Sequence, residues 1–185
     1  MYDILKDIIF EKAQLKHYNS SENSFYIKEN DPLAKCRRIE LLNFESKNTT
    51  FGFELDCKHI KYKGIHKISP YFENKKGLDK GNDAIIFTTL KNQKYIFICE
   101  LKDGAKGYIP QFKSSSCFVD YIRSILKQYH SIDTKNIIYK YIVFSEQATN
   151  TRTTNGKFSA TTQDGFEIYH INCRRGKYYI ESFID

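Results

Sequence analysis

Asp83-Ala84-Ile85-Ile86-Phe87 and Tyr95-Ile96-Phe97-Ile98-Cys99-Glu100-Leu101-Lys102 decide how this chain is read. Each is an apolar run, and the polar link Lys91-Asn92-Gln93-Lys94 lies between them, the pattern of a β-hairpin. Centring the hairpin on that link sets Asp83 opposite Lys102. Glu100 then shares their face one diagonal step away, because side chains two apart point the same way. Both faces of the hairpin are apolar, with Ile85, Phe87, Ile96 and Ile98 on one and Ala84, Ile86, Phe97 and Cys99 on the other. Strands of that kind are covered on both sides and belong at a sheet centre. Three charges thus cap the most apolar segment of the chain, where charge is costly unless paired or bound to metal. A surface salt bridge would contribute about 0–1 kcal/mol and would not account for that placement.

Outward from the hairpin the pattern continues. Residues 2–16 read as a helix, with Ile4, Ile8, Glu11 and Leu15 on one stripe. Phe25–Lys28 reads as a short strand, 33–43 as either a short helix or a strand, and Thr49–Lys63 as a strand or hairpin. Gly64 to Gly81 is a basic loop punctuated by Gly, Pro and Asn. After a Gly-containing loop at 103–109, Pro110 suits a first helical turn. Phe118, Tyr121, Ile122, Ile125, Leu126 and Tyr129 then repeat at three and four. Asn136–Phe144 is a further strand and 145–164 a polar loop. Phe166–Cys173 and Tyr178–Ile184 form an expected terminal hairpin turned at Arg174-Arg175-Gly176-Lys177.

The arrangement from Lys80-Gly81-Asn82-Asp83 to Glu100-Leu101-Lys102, followed by a helix and a strand ending near Phe144, resembles the PD-(D/E)xK (restriction-endonuclease-like) nuclease superfamily. The resemblance implies a single α/β domain, 1–185, with a core at about 83–144. That core runs helix, three strands, helix, strand, in a mixed central sheet with a helix on each side. It implies Asp83 and Glu100 as ligands of Mg²⁺ or Mn²⁺ and Lys102 as the group assisting the attacking water. Asn82 stands where the family's namesake proline would be. Gln111, at the start of the next helix, is either a contact to water or phosphate, as in related nucleases, or part of ordinary helix capping with Ser114 to Ser116. Glu11 is either a third metal ligand from the first helix or an edge residue beside Lys12 and Lys16.

The chain of 185 residues carries a net charge of +7, which suits an anionic partner. The expected partner is nucleic acid, DNA rather than RNA. Lys113, Arg152 and Lys157 are the candidate phosphate contacts, and Lys75, Lys76, Lys80, Arg174, Arg175 and Lys177 form further basic clusters. A small nuclease of this kind is expected to draw recognition or helicase activity from a protein partner, as in prokaryotic defence or repair. The rival reading is an inactive nuclease-fold subunit that binds nucleic acid or protein.

The five cysteines, Cys36, Cys57, Cys99, Cys117 and Cys173, are scattered without a CxxC pair. They read as free thiols of a reducing cytoplasm, Cys99 and Cys117 as small core residues. No apolar run reaches membrane-spanning length, and no signal-peptide pattern opens the chain. No HxxxH or HExxH zinc motif, GxSxG elbow or Walker loop is present. A second acidic-x-Lys, Asp56-Cys57-Lys58, lacks an upstream aspartate strand, and Glu54, Asp56 and Lys58 read as the solvent side of an outer strand.

Overall fold

A computed structural model describes residues 1–16, 23–29, 31–56, 61–62, 65–66, 80–104 and 106–184. In chain order the elements are α1 (Tyr2–Ile8), β1 (Phe25–Lys28), β2 (Arg38–Leu42), β3 (Thr50–Phe53), β4 (Lys61–Tyr62) and β5 (Ile65–His66). There follow β6 (Ala84–Leu90), β7 (Gln93–Lys102), α2 (Ile109–His130), β8 (Ile138–Ser145), β9 (Ala160–Gln163), β10 (Phe166–Asn172) and β11 (Lys177–Tyr179). Lys75 and Lys76 lie outside the described residues, as do Cys57 and Lys58.

Six strands make a mixed sheet in the order β3-β6-β7-β8-β10-β9. β3, β6 and β7 are antiparallel neighbours, and β8 then runs parallel to β7, with α2 as the crossover between them. In chain order β1 and β2 intervene between α1 and β3, and β4 and β5 between β3 and β6, whereas β6, β7, α2 and β8 follow one another directly. β10 adds a third parallel strand and β9 closes that edge.

Ile85, Phe87, Ile96 and Ile98 pack under both helices, with Leu5 of α1 and Phe112, Val119, Ile122 and Leu126 of α2. The opposite face, Ala84, Ile86, Phe97 and Cys99, is covered by a second sheet, β1-β2-β11, through Phe25, Ile27, Ile39, Leu41 and Tyr178. β6 and β7 are thus covered on both faces, as their two-sided apolarity requires. The expected helix on each side is corrected: both helices share one face, and a three-stranded sheet fills the other. Each fully buried Phe or Ile contributes about 1.5–3 kcal/mol to this core.

Local departures have local causes. Lys91 and Asn92 both adopt positive φ, 51° and 62°, so the hairpin closes on two residues instead of four. The register Ala84↔Cys99 moves by two from the expected one, and a shift of two keeps every side chain on its face. α1 ends at Ile8, short of the expected residue 16. Its last carbonyls are met by the Gln14 side chain, which donates to Lys6 O at 2.7 Å and Ile9 O at 2.8 Å. Residues 13–15 instead run along β3, with Leu15 N donating to Gly52 O at 2.8 Å.

The 33–43 stretch resolves as the strand β2. β3 ends at Phe53, so Glu54 and Asp56 follow it and do not alternate along it.

α2 spans 22 residues, about 33 Å. It buries Phe112, Ser115, Val119, Ile122 and Leu126, while Tyr121 and Tyr129 are 63% and 81% exposed. Ile122 and Leu126 thus face inward as expected and Phe118 packs beside them, whereas Tyr121 and Tyr129 do not, and Cys117 faces solvent, unlike buried Cys36, Cys99 and Cys173.

The terminal hairpin also differs. β10 pairs with β9 across Asp164-Gly165, both at positive φ. After β10, Gly176 (φ 67°) sends the chain to the other sheet, where β11 runs parallel to β2. Among the described residues no helix is long and apolar enough to cross a membrane.

Candidate metal centre

The β6–β7 hairpin ends where its charges begin. One step beyond the last pair, Ala84↔Cys99, Asp83 comes opposite Glu100. Glu100 lies on the face of Ile98, under α2, and Asp83, just before the start of β6, feels both the Glu100 charge and that of Glu29 at the end of β1. Glu100 is only 2% exposed. Its carboxylate accepts three side-chain donors. Asn82 Nδ2 reaches Oε2 at 2.7 Å, Lys102 Nζ reaches Oε1 at 2.7 Å, and Gln111 Nε2 also donates to Oε1. Gln111 sits in the first turn of α2, so the helix that covers the hairpin also delivers a donor to its acidic end. Tyr108 occupies the N-cap, no side chain caps this helix, and Ser116 bonds Tyr141 at 3.0 Å, so serine capping is not what Gln111 and its neighbours do.

Asp83 is half-buried, and its Oδ2 accepts the Leu101 N–H at 2.6 Å. Burial, and then the neighbouring Glu100 charge, push its carboxyl well above the usual carboxylate range, against the Leu101 hydrogen bond. Burial likewise pushes Glu100 up, against the Lys102 ammonium and the donors around it. Two acids that both hold their protons too tightly, side by side at a sheet end, are a site short of positive charge. Lys102, with its side chain 27% exposed, supplies part of it.

The backbone leading into Asp83 is fixed from the β3 side. Asn82 O accepts from Leu55 N at 3.2 Å and from Asp56 N at 3.4 Å. A Cβ on Gly81 would sit 2.7 Å from Asp56 N and from the Leu55 carbonyl carbon, so only glycine permits this approach. Asn82 is fully buried, and its Oδ1 has no hydrogen-bond partner.

These residues fit a hard divalent cation: two carboxylates with raised proton affinity and an orphaned amide oxygen, all oxygen donors. Among the described residues no third Asp, Glu, His or Cys joins them. Glu11 in particular does not. The chain has left α1 and lies in a 3-10 turn beside β3, with Glu11 exposed.

The candidate phosphate contacts divide. Lys113 is exposed in the first turns of α2. Arg152 lies 4.4 Å over the Phe158 ring and donates to Gly156 O, holding its own loop. Lys157 Nζ donates to Glu181 O at 3.1 Å and Ile184 O at 2.6 Å, tying down the C-terminal turn.

Arg174, of the terminal basic cluster, stands with a lysine that sequence reasoning missed, Lys35. Lys102 is level with Ser145 of β8, which is level with Asn172 of β10, so three parallel strands end together. There Glu146 pairs with Lys35 at 3.5 Å and Arg174 at 3.4 Å, and Asp103 accepts the Lys35 N–H at 2.7 Å. Lys35 belongs to the β1–β2 loop, which nothing in its local pattern sets beside Lys102.

No protein-family model, curated protein or solved structure matches the chain. Fold and site define a mixed α/β protein with an acid pair, half-buried Asp83 and buried Glu100, and a lysine at the end of its central strands.

Proposed function

We propose that this chain is a divalent-metal-dependent nuclease of the PD-(D/E)xK type, hydrolysing phosphodiester bonds of nucleic acid, DNA rather than RNA. The observation that carries the reading is half-buried Asp83 beside buried Glu100, both carboxyls raised, with Lys102 on Glu100. The antiparallel β3-β6-β7 run, with α2 crossing over to the parallel strand β8, supports it, because the resemblance implies strands, helix and strand in that order around the acidic pair.

Asp83 and Glu100 would hold the cation. When bound, it supplies Lewis-acid stabilisation of phosphoryl charge and a more acidic water. Lys102 keeps an ammonium beside the same carboxylate, where it orients that water and meets negative charge developing on the phosphate. Gln111 fixes the Glu100 carboxylate from the helix side. Substrate reaches the site from the open end of the parallel strands. Lys35 and Arg174 stand there 65% and 72% exposed, in weak surface pairs that a phosphate backbone can displace.

The test is degradation of plasmid, single-stranded DNA and RNA by purified protein. Cleavage is expected with Mg²⁺ or Mn²⁺ and none with EDTA, and Glu100→Gln removes it. Equal cleavage in EDTA, or by Glu100→Gln, rejects the assignment.

A further inference from the structure

We infer that Asn82 is itself a ligand of the cation, its Oδ1 supplying the neutral third oxygen beside Asp83 and Glu100; this rests on the metal-site reading above. Asn82 is fully buried, and one end of its amide is spoken for: Nδ2 donates to Glu100 Oε2 at 2.7 Å. The other end is an acceptor sealed from solvent with no donor. Leaving a buried acceptor unmet is unfavourable and uncommon in a native structure. Turning the amide over offers no relief, because Oδ1 would then face a carboxylate and Nδ2 would lose its acceptor. The unmet atom belongs to the same rigid amide that touches Glu100, so it lies at the acid pair.

The backbone argues the same way. Asn82 O is held by two amides from the chain after β3, and Gly81 is packed too tightly to accept a side chain. The residue before Asp83 is thus fixed in place with its oxygen unsatisfied, while among the described residues no third Asp, Glu, His or Cys completes a metal-holding group with the acid pair, although the Glu29 charge is felt at Asp83. A neutral amide oxygen completes an oxygen-only ligand set without adding a third negative charge to two that already repel. Such a set suits Mg²⁺ or Mn²⁺.

The test uses Mn²⁺ as the probe and the full chain labelled with [¹³Cγ]asparagine. Electron–nuclear double resonance of bound Mn²⁺ is expected to show a ¹³C coupling from a directly ligated carboxamide, absent in Asn82→Leu. Mn²⁺ affinity of Asn82→Leu is expected to fall on the order of 10- to 100-fold, the loss typical of disturbing the shell of a metal site. Bound Mn²⁺ without a ¹³C coupling in the wild-type chain overturns the role of Asn82 while leaving the acid pair as the metal site. This holds even if Asn82→Leu fails to fold. No bound Mn²⁺ in the wild-type chain overturns both.

Discussion

Lys102→Ala is expected to lower the cleavage rate by roughly 10²- to 10⁴-fold, the usual contribution of a group that manages a proton or a developing charge. Mn²⁺ affinity and the folded state are expected to survive. The structure gives the reason for that split. Lys102 and the cation seek the same carboxylate, Glu100, so removing the ammonium also removes a competitor for Oε1. It equally removes one of the influences that hold the Glu100 carboxyl down, so the retained affinity is read at pH 7.5 or above. Single-turnover cleavage alongside Mn²⁺ titration separates the two effects. A wild-type cleavage rate in Lys102→Ala would deny the lysine any catalytic part.

The second large effect is on stability. Phe112→Ala is expected to cost about 3–5 kcal/mol, the range for truncating a buried aromatic side chain. In a chain of this size that lowers the melting temperature by roughly 6–20 °C. Phe112 is fully buried between helix and sheet, its ring 5.1 Å from that of Tyr141, 5.7 Å from Tyr108 and 6.1 Å from Phe166. It follows Gln111 directly, so the same loss loosens the helix end that meets Glu100. Tyr129→Ala, at an exposed position on the same helix, is expected to change stability by no more than about 0.5 kcal/mol. Equal melting temperatures for the two variants, followed by circular dichroism, would mean that α2 is not docked by this face.

Much of this was legible in the sequence where the signal was local and strong. The hairpin and its two-sided burial follow from alternation alone. They survive a register error of two because the period of a strand is two. The turn was misjudged because Lys91-Asn92 lacks the glycine that usually marks a two-residue turn. The partner of β10 was missed although Asp164-Gly165 is such a mark. The strand before it, Ala160-Thr161-Thr162-Gln163, is largely exposed and polar and carries no apolar alternation.

What periodicity does not encode is which element covers a sheet face. A helix and a three-stranded sheet demand the same apolar residues from Ala84, Ile86, Phe97 and Cys99. The stripe on α2 was drawn too wide for a related reason: Tyr121 and Tyr129 look apolar in a helical pattern, yet a tyrosine sits readily at a surface. Glu11 was tied to a helix that Gln14 and the β3 edge bring to an early end. Asn82 was visible beside Asp83 but was read only as a missing proline. Its meaning depends on Glu100, distant in sequence and adjacent across the hairpin. Lys35 and Arg174 are likewise joined only by the fold, through Glu146.

The claim that Asp83 and Glu100 form a metal centre is tested most directly by calorimetric titration of Mn²⁺ into the metal-free protein at pH 7.5 and at pH 5.5. One site is expected, and it is lost in the Asp83→Asn, Glu100→Gln double variant. Both carboxyls are raised above their usual values near 4, so the pair retains protons at a pH where ordinary carboxylates have lost them. Binding must displace those protons, so affinity is expected to weaken as the pH falls and to be strongest at the higher pH. Absence of binding at pH 7.5, or binding that the double variant keeps, would contradict the metal centre. Glu100, Lys102, Asn82 and Gln111 would then be a structural clamp between hairpin and helix, as in a nuclease-fold subunit without activity.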